Sequence, residues 1–283
     1  MGKKMWIGMM DSGVGGLTVA KEVFLHSPQY PIVYFGDSRR CPYGSRDAEE
    51  VVRYSKELVC HLSLYPLRML VVACNTATAV ALPQIREMLP VPVVGVIEPG
   101  SRAALAATKT GNIGVIGTEG TIKSGAYERE LLRIDPEVRV VSLSCPAFVP
   151  LVEQGLYASE KAREVVQNAL SSLQQANVDT LILGCTHYPL LQPLIQEVMG
   201  EDVTLINSAE ETAREVARQL GGRESGEVGE AVVNGAGDSL FFTSGNPETF
   251  SRVLREWVGV SAPVLVKDPT RDERKEIELS SFV

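Results

Sequence analysis

The sequence predicts an α/β protein built of two similar domains, each a mostly parallel sheet flanked by helices. Eight short apolar runs rich in β-branched residues alternate with amphipathic segments of helical period, a pattern typical of parallel sheets assembled from βαβ units. Three local motifs recur in the same order at an offset of about 110 residues. The chain of 283 residues is long enough to form two such units, each with its own core.

The predicted elements follow this alternation from the N-terminus onward. The helical period is clearest over 50–62 and 159–173. After the last predicted strand, 241–257 is expected to form a loop and a helix attached to the first domain, and 267–283 a charged, partly mobile tail. Strands are predicted at 5–10, 31–36, 68–73, 91–97, 112–117, 138–143, 179–184 and 202–207.

The internal repeat indicates a duplicated four-strand unit and sets the domain boundaries. IGMMDSGVGG at 7–16 resembles IGVIGTEGT at 113–121, ACNTATA at 73–79 resembles GCTHYPL at 184–190, and VVGVIEPG at 93–100 resembles TLINSAEE at 204–211. We therefore expect a pseudo-two-fold arrangement, with a first domain of 1–97 plus 207–283 and a second of 98–206. Because ligands bind at the carboxyl ends of parallel strands, the active site is expected in the cleft between the domains.

The net charge and the hydropathy of the chain indicate which classes of partner and which compartment to expect. The formal net charge of −8 disfavours a non-specific grip on nucleic acid or anionic lipid, because both need a dense basic surface. Asp11 ends the N-terminal apolar run too early for a signal-peptide core. No run approaches the roughly 18 apolar residues of a membrane span. We therefore expect a cytoplasmic protein with no membrane and no nucleic-acid partner.

The five cysteines form an odd set without a C-x-x-C pair, so reduced thiols are expected. For Cys60, within a helical segment, we expect an ordinary buried apolar side chain. Cys74 and Cys185 differ because each follows a predicted strand at the turn into a helix. The N–H groups and positive dipole end of a helix N-terminus favour a thiolate and also hold carboxylates.

Several other thiol chemistries fit this spacing poorly. A phosphatase or sulfur-transfer loop needs an arginine six residues after the cysteine, where this chain has Val80 and Leu191. A thioredoxin-type site needs a second cysteine three residues on, and neither turn has one. A zinc site of Cys74, Cys185 and His187 would be a thin ligand set. No metal is therefore expected.

Two equivalent acid–base groups facing each other suit a reaction that removes a proton from one side of a carbon and returns one to the other side. One group must start as thiolate and the other as thiol, and they exchange states in each turnover. An amino-acid α-proton is weakly acidic, so the thiolate needs close positioning and N–H donors for the carboxylate. No lysine lies in the strand-end motifs, so a pyridoxal Schiff base has no anchor and no cofactor is expected.

Five motifs stand out in combination: DSGVGGLTV at 11–19, GDSRRCPYGSR at 36–46, CNTATA at 74–79, CPAFVPLVEQG at 145–155 and GCTHYPLL at 184–191. They resemble the successive signatures of the glutamate racemases, within the aspartate/glutamate racemase family. The resemblance implies a cofactor-independent isomerase that interconverts L-glutamate and D-glutamate with two cysteines. It also implies that the D-glutamate supplies bacterial peptidoglycan synthesis, and hence cell-wall biogenesis and cell shape.

The same resemblance assigns the site residues. It implies that Cys74 accepts the α-proton of the D-enantiomer and Cys185 that of the L-enantiomer. Asp11 and His187 also make local sense, because each stands near one thiol and can tune its proton affinity. The residues expected to assist proton transfer are Asp11, His187, Glu153 and Asp37. Substrate contacts are expected from Asp11, Ser12, Tyr43, Gly44, Asn75, Thr76, Thr186 and His187, and from the hydroxyls of Thr118 and Thr121, the repeat counterparts of the Asp11 loop.

Three alternatives remain at this point. A dinucleotide-binding oxidoreductase would use Gly13 and Gly15 at the first turn and Asp37 on a ribose, although Thr18 occupies the third glycine position. A non-catalytic amino-acid-binding protein would close two α/β lobes on a ligand without changing it. An aspartate racemase of the same family is the near alternative, and His187 favours glutamate by resemblance. We expect a homodimer acting on a small molecule.

Overall fold

The structure, a computed structural model, describes residues 5–221 and 237–271. Within these ranges the strands form two sheets, each with all its strands parallel. The first sheet has the order β10-β9-β2-β1-β3-β4. Its strands are β1 (Trp6–Asp11), β2 (Ile32–Gly36), β3 (Leu67–Val72), β4 (Val93–Gly95), β9 (Leu240–Thr243) and β10 (Val264–Val266).

The second sheet repeats the arrangement of the first. Its order is β6-β5-β7-β8, which matches β2-β1-β3-β4 strand for strand. Its strands are β5 (Asn112–Gly117), β6 (Arg139–Ser144), β7 (Thr180–Gly184) and β8 (Thr204–Asn207). The prediction of two similar, mostly parallel sheets related by duplication is therefore confirmed, and β3 and β7, the strands that lead into Cys74 and Cys185, occupy equivalent places.

Helices cover both faces of each sheet. Several begin at polar caps: the hydroxyl of Ser159 accepts the N–H of Ala162, and the Asn246 side chain accepts from Glu248 and Thr249. The helices are α1 (Leu17–His26), α2 (Ala48–Leu62), α3 (Asn75–Met88), α4 (Ile97–Ala107), α5 (Glu119–Ser124), α6 (Ala126–Ile134), α7 (Phe148–Glu153), α8 (Glu160–Gln175), α9 (Gln192–Met199), α10 (Ser208–Gln219) and α11 (Pro247–Val253).

The hydrophobic core joins the two sheets. One cluster of buried side chains includes Met9 and Val71 from the first sheet and Leu181 and Leu183 from the second. Separate clusters fill the space under the helices on the remaining face of each sheet. Because the main cluster is shared, burial of apolar surface holds the two sheets against each other as well as stabilising each one.

Three sequence expectations need correction. The run 91–97 is a strand only over Val93–Gly95, because α4 already begins at Ile97. The segment 241–257 lies mostly in a strand and a helix: β9 extends the first sheet beside β2, and α11 follows it. Cys60 is exposed rather than buried, because it lies on the side of α2 away from the core. Of the predicted C-terminal tail, 272–283 lies outside the described residues, as does 222–236 between α10 and β9.

None of the helices in the described part of the chain is both long and apolar enough to cross a bilayer.

Candidate active site

The candidate site lies where the carboxyl ends of β1 and β3 meet those of β5 and β7. Hydrogen bonds cross directly between these strand ends. The hydroxyl of Thr18, in α1, donates to the carbonyl oxygen of Thr186 over 2.8 Å. The Thr76 hydroxyl lies 3.0 Å from that of Thr118. The loop that carries Cys185 is therefore bonded to α1 of the first sheet, and the turn that carries Cys74 is bonded to Thr118, which follows β5 of the second sheet.

Cys74 is the N-terminal cap of α3. Its Sγ accepts the N–H of Ala77 at 3.5 Å and donates to the Ser12 hydroxyl at 3.7 Å, and the residue is only 5% exposed. Burial raises the pKa of the Cys74 thiol to about 12, and the Asp11 carboxylate adds to the increase. The Ala77 N–H and the Ser12 hydroxyl oppose this increase without reversing it, and Cys185 adds slightly to it. Cys74 is therefore a neutral thiol at physiological pH.

Cys185 has a different electrostatic environment. The chain after it forms a 3-10 turn at Tyr188–Leu191 rather than an α-helix, so the predicted helix N-terminus is absent at Cys185. Its Sγ instead lies 3.8 Å from Nδ1 of His187, and Nε2 of His187 lies 3.2 Å from the Glu153 carboxylate. The result is a chain of three side chains that runs from the thiol outward to a carboxylate.

His187 is buried, and its contacts with Cys185 and Glu153 determine its charge state. Burial by itself lowers the pKa of the His187 imidazole, but the hydrogen bonds with Cys185 and Glu153 outweigh it and raise that pKa to about 10. The hydrogen bond from His187 in turn lowers the pKa of the Glu153 carboxyl. His187 is therefore a cation at neutral pH, next to Cys185.

Asp11 lies at the end of β1, near Cys74, and is fully buried. Its Oδ2 accepts the N–H of Gly13 at 2.9 Å, whereas its Oδ1 is buried without a partner. Burial raises the pKa of the Asp11 carboxyl, and the charge of His187 is the largest opposing influence. Asp11 does not cap α1, because Gly16 occupies that position. The unpaired Oδ1 is therefore a buried acceptor to which no protein group donates.

The residues after Cys74 offer donors to the same space. The hydroxyls of Thr76, Thr118 and Thr121 form a triangle with sides of 3.0, 3.1 and 3.0 Å. Thr118 and Thr121 lie at the start of α5, directly after β5 of the second sheet. Asn75 has its Oδ1 bonded to the hydroxyl of Tyr127 at 2.7 Å, while its Nδ2 is buried without a partner. The site thus contains one unpaired buried acceptor, on Asp11, and one unpaired buried donor, on Asn75.

Tyr43 and Gly44 form a 3-10 turn that packs on the second sheet. A Cβ on Gly44 would lie 2.4 Å from Cβ of Thr118, so no larger residue fits there without a shift. The Tyr43 hydroxyl donates to Asp37 at 2.6 Å. Asp37 also accepts from Arg40 and from the Ser244 hydroxyl, each at 2.6 Å. These hydrogen bonds of the Asp37 side chain go to Tyr43, Arg40 and Ser244 rather than to Cys74 or Cys185, and they hold the Tyr43 turn in place.

Glu153 lies at the solvent end of the site. Its carboxylate accepts from the thiol of Cys41 at 3.6 Å as well as contacting His187. Two open cavities, of about 290 and about 300 Å³, meet at this side chain, one bordered by Trp257 and the other by Glu119. Glu153 is therefore the predicted site residue with the greatest access to solvent, since its side chain is 40% exposed.

Four residues that contact the site were not predicted from the sequence. Thr18 donates a hydrogen bond to the turn after Cys185. Gly15 lets that turn pack closely, because a Cβ on Gly15 would lie 2.3 Å from the Thr186 hydroxyl. Tyr127 and Ser244 bind Asn75 and Asp37. Gly15 and Thr18 belong to the DSGVGGLTV motif, which was the available signal; Tyr127 and Ser244 carried none. Among the described residues, no group of three or more His, Cys, Asp or Glu side chains is placed to hold a metal ion.

Comparison with known proteins places the chain in a class. The model of the Asp/Glu/Hydantoin racemase family matches residues 18–216, and the chain belongs to this family. A glutamate racemase from Bacillus cereus is 52% identical over 253 residues, which cover 89% of this chain and 93% of that protein.

Two solved structures extend the comparison to the fold. A glutamate racemase from Bacillus anthracis has a TM-score of 0.88 at 45% identity, covering 95% of this chain and all of its own. A glutamate racemase from Francisella tularensis, solved with D-glutamate, has a TM-score of 0.83 at 28% identity, covering 94% of this chain and 98% of its own. The family resemblance drawn from the five sequence motifs is therefore confirmed.

Proposed function

We propose that the protein interconverts L-glutamate and D-glutamate without a cofactor, using Cys74 and Cys185 as the two acid–base groups. One observation carries this proposal. The two cysteines follow equivalent strands of two sheets with the same strand order, and each contacts a partner of a different kind. Two buried thiols that merely fill core space would not need this pairing. The 52% identity to a protein named glutamate racemase supports the same reaction and substrate.

The protonation states suit a two-base reaction. Such a reaction needs one thiolate and one thiol at the start. Cys185 lies beside the His187 cation, and Cys74 is a thiol held neutral by burial and by Asp11. In the proposed cycle the Cys185 thiolate removes the α-proton of L-glutamate, and the Cys74 thiol gives its proton to the opposite face. D-glutamate leaves with Cys185 as the thiol and Cys74 as the thiolate, and the reverse direction uses these states.

The unpaired polar atoms suit an α-amino acid. In the proposed complex Oδ1 of Asp11 accepts from the substrate ammonium group, and Nδ2 of Asn75 donates to a substrate carboxylate. The N-terminus of α3, where Asn75 is the first residue, adds a positive dipole end near that carboxylate. The hydroxyls of Thr76, Thr118 and Thr121 now share their protons with one another, and in the proposed complex one of them turns its proton to the substrate carboxylate instead. The dipole end of α3 and the threonine hydroxyl thereby stabilise the charge that spreads onto the carboxylate as the α-proton leaves, whereas the Asn75 contact serves mainly to bind the substrate.

Remaining predictions about the site and its setting belong to this proposal. Glu153 assists by holding His187 in its charged form, and Asp37 assists by holding Tyr43. Residues 1–97 with 207–283 and residues 98–206 form the two domains that enclose the substrate. The protein acts in the cytoplasm as a homodimer, and its D-glutamate supplies peptidoglycan synthesis.

The geometry disfavours the dinucleotide-binding alternative. A pyrophosphate would have to approach the backbone at Gly13 and Gly15, but Thr186 and His187 already cover Gly15. The carboxylate that would bind a ribose belongs to Asp37, which already accepts three hydrogen bonds. The turn at Gly13 and Gly15 is therefore not open to a pyrophosphate, and Asp37 is not free to bind a ribose.

The test is incubation of the purified protein with L-glutamate in D₂O without added cofactor. We expect both enantiomers to appear, with deuterium at the α-carbon. Cys74→Ala and Cys185→Ala should each abolish the interconversion, whereas Cys60→Ala, which removes an exposed thiol outside the site, should not. A binding protein would hold glutamate without exchange of its α-hydrogen, and an aspartate racemase would act faster on L-aspartate. Full activity in either active-site variant would overturn the two-base assignment.

A further inference from the structure

Tyr127 is a buried residue of α6 that touches both cysteine turns. Its hydroxyl donates to Oδ1 of Asn75, which directly follows Cys74, over 2.7 Å. Its ring lies beside Gly184, which directly precedes Cys185, and a Cβ on Gly184 would approach the ring to 3.0 Å. Tyr127 itself is 2% exposed. One side chain from the second sheet's helices therefore reaches across to the residue next to the thiol of the first sheet.

The hydrogen bond to Tyr127 decides which half of the Asn75 amide remains free. A side-chain amide has one accepting oxygen and one donating NH₂ group. The oxygen of Asn75 is taken by Tyr127, and its NH₂ group is buried with no partner. A buried unpaired donor beside a cysteine turn indicates a ligand atom that accepts hydrogen bonds. If the amide were turned over, it would instead present its oxygen, which repels an anionic ligand.

Tyr127 is suited to act as the donor in this contact. Burial raises the pKa of the Tyr127 hydroxyl, so the hydroxyl keeps its proton throughout the physiological range. Ser208 is a neighbouring hydroxyl, but it donates its own proton to the carbonyl oxygen of Leu183 at 3.0 Å. The Tyr127 proton therefore has the Asn75 oxygen as its acceptor.

We propose that Tyr127 is a positioning residue for the substrate: it fixes the Asn75 amide so that Nδ2 donates to a carboxylate of the bound amino acid. This inference rests on the proposed function for the identity of that carboxylate. Tyr127 makes no contact with the reacting carbon in this account, so its effect falls on substrate binding more than on the chemical step.

The test is a double-mutant cycle on Tyr127→Phe and Asn75→Ala, with the affinity for L-glutamate measured by calorimetry and the rates measured by circular dichroism. Phenylalanine keeps the ring in its packing and removes only the hydroxyl. We expect Tyr127→Phe to raise Kd and KM about five- to tenfold, the factor that corresponds to one net hydrogen bond, and to change kcat by less than about twofold. In the Asn75→Ala background the same substitution should change neither Kd nor KM.

The matched control is Tyr54→Phe. This substitution also removes a tyrosine hydroxyl, one that donates to Glu50 within α2 at 2.9 Å. The Tyr54→Phe variant should keep the wild-type Kd and KM. A second variant, Asn75→Asp, keeps an oxygen for Tyr127 but replaces the free NH₂ group with an oxygen. It should therefore bind glutamate more weakly than Asn75→Ala does, and it tests the amide orientation even if Tyr127→Phe fails to fold.

Equal effects of Tyr127→Phe with and without Asn75 would overturn the proposal, because they would show that the hydroxyl does not act through the amide. An unchanged Kd in Tyr127→Phe would overturn it as well. Both results are distinct from failure of the proposed function, in which the wild-type protein binds glutamate without racemising it, or does not bind it.

Discussion

The hydrogen bond from Thr18 in α1 holds the turn after Cys185, and its loss has a measurable cost. Its hydroxyl, which is buried, donates to the Thr186 carbonyl at 2.8 Å. Pro189, three residues further on, has no N–H to offer that oxygen, so Thr18 supplies the proton from the other sheet. Thr18→Val keeps the shape of the side chain and removes the hydroxyl, leaving a buried carbonyl without this donor.

Loss of this hydrogen bond lowers the stability of the folded protein. A buried acceptor left unpaired costs about 1–3 kcal/mol of free energy of unfolding, a substantial part of the roughly 5–15 kcal/mol of a typical domain. Gly15 contributes little to the cost, because its carbonyl, which also accepts from the Thr18 hydroxyl, keeps the Thr18 backbone N–H at 3.0 Å. Loosening the turn between Cys185 and His187 should also lower kcat, by on the order of tenfold, because a displacement below 1 Å misaligns a proton transfer.

The assay compares urea unfolding and racemisation kinetics in wild-type protein, Thr18→Val and Thr18→Ser. Serine keeps the hydroxyl and should retain most of the stability and activity, although it loses a methyl group. Wild-type stability and kcat in Thr18→Val would refute the claim that this hydrogen bond holds the Cys185 turn. Equal losses in the serine and valine variants would refute it too, since the hydroxyl would then not be the group that matters.

Three further predictions follow from the contacts of the site. Because the pKa of His187 is raised from 6.5 to about 10 in the folded state, its contribution to stability is complete below about pH 6.5 and is lost as the pH rises through about 10. The free energy of unfolding, measured against pH, should show this decline in wild-type protein and not in His187→Gln. Cys60, the exposed thiol, should be alkylated first without loss of activity, and Cys60→Ser should remove that label and retain kcat and KM; inactivation in step with Cys60 labelling would contradict its exposed position outside the site. Ser244→Ala should cost about 1–3 kcal/mol of unfolding free energy and raise KM more than it lowers kcat, because Ser244 acts through Asp37 and Tyr43; a larger fall in kcat with an altered pH profile would instead favour direct proton transfer by Asp37.

The repeated part of the fold was predictable because its signal is local. β-branched runs such as NIGVIG mark strands whichever way the rest of the chain folds. β9 and β10 have four and three residues respectively, which is too short for alternation or composition to be distinctive. They become strands because β9 pairs with the edge of β2 and β10 then pairs with β9, and that is a tertiary effect.

The candidate site was predictable to the extent that its residues stand in strand-end motifs. Cys74 and Cys185 were found by their place after strands, and His187 by its position two residues after Cys185. Tyr127 and Ser244 were not found, because each reaches the site from an element distant in sequence and carries no motif. The helix N-terminus expected at Cys185 was wrong for a local reason: Pro189 lies within a 3-10 turn, and α9 begins only at Gln192.

The central claim is that two thiols act on opposite faces of one carbon, and exchange in the single variants tests it most directly. Each variant is incubated separately with L-glutamate and with D-glutamate in D₂O, and the α-hydrogen is followed by NMR. Cys74→Ala retains Cys185 and should exchange the α-hydrogen of L-glutamate alone, whereas Cys185→Ala should exchange that of D-glutamate alone, and neither should invert its substrate. Exchange of the opposite enantiomer, or racemisation by either variant, would contradict the account.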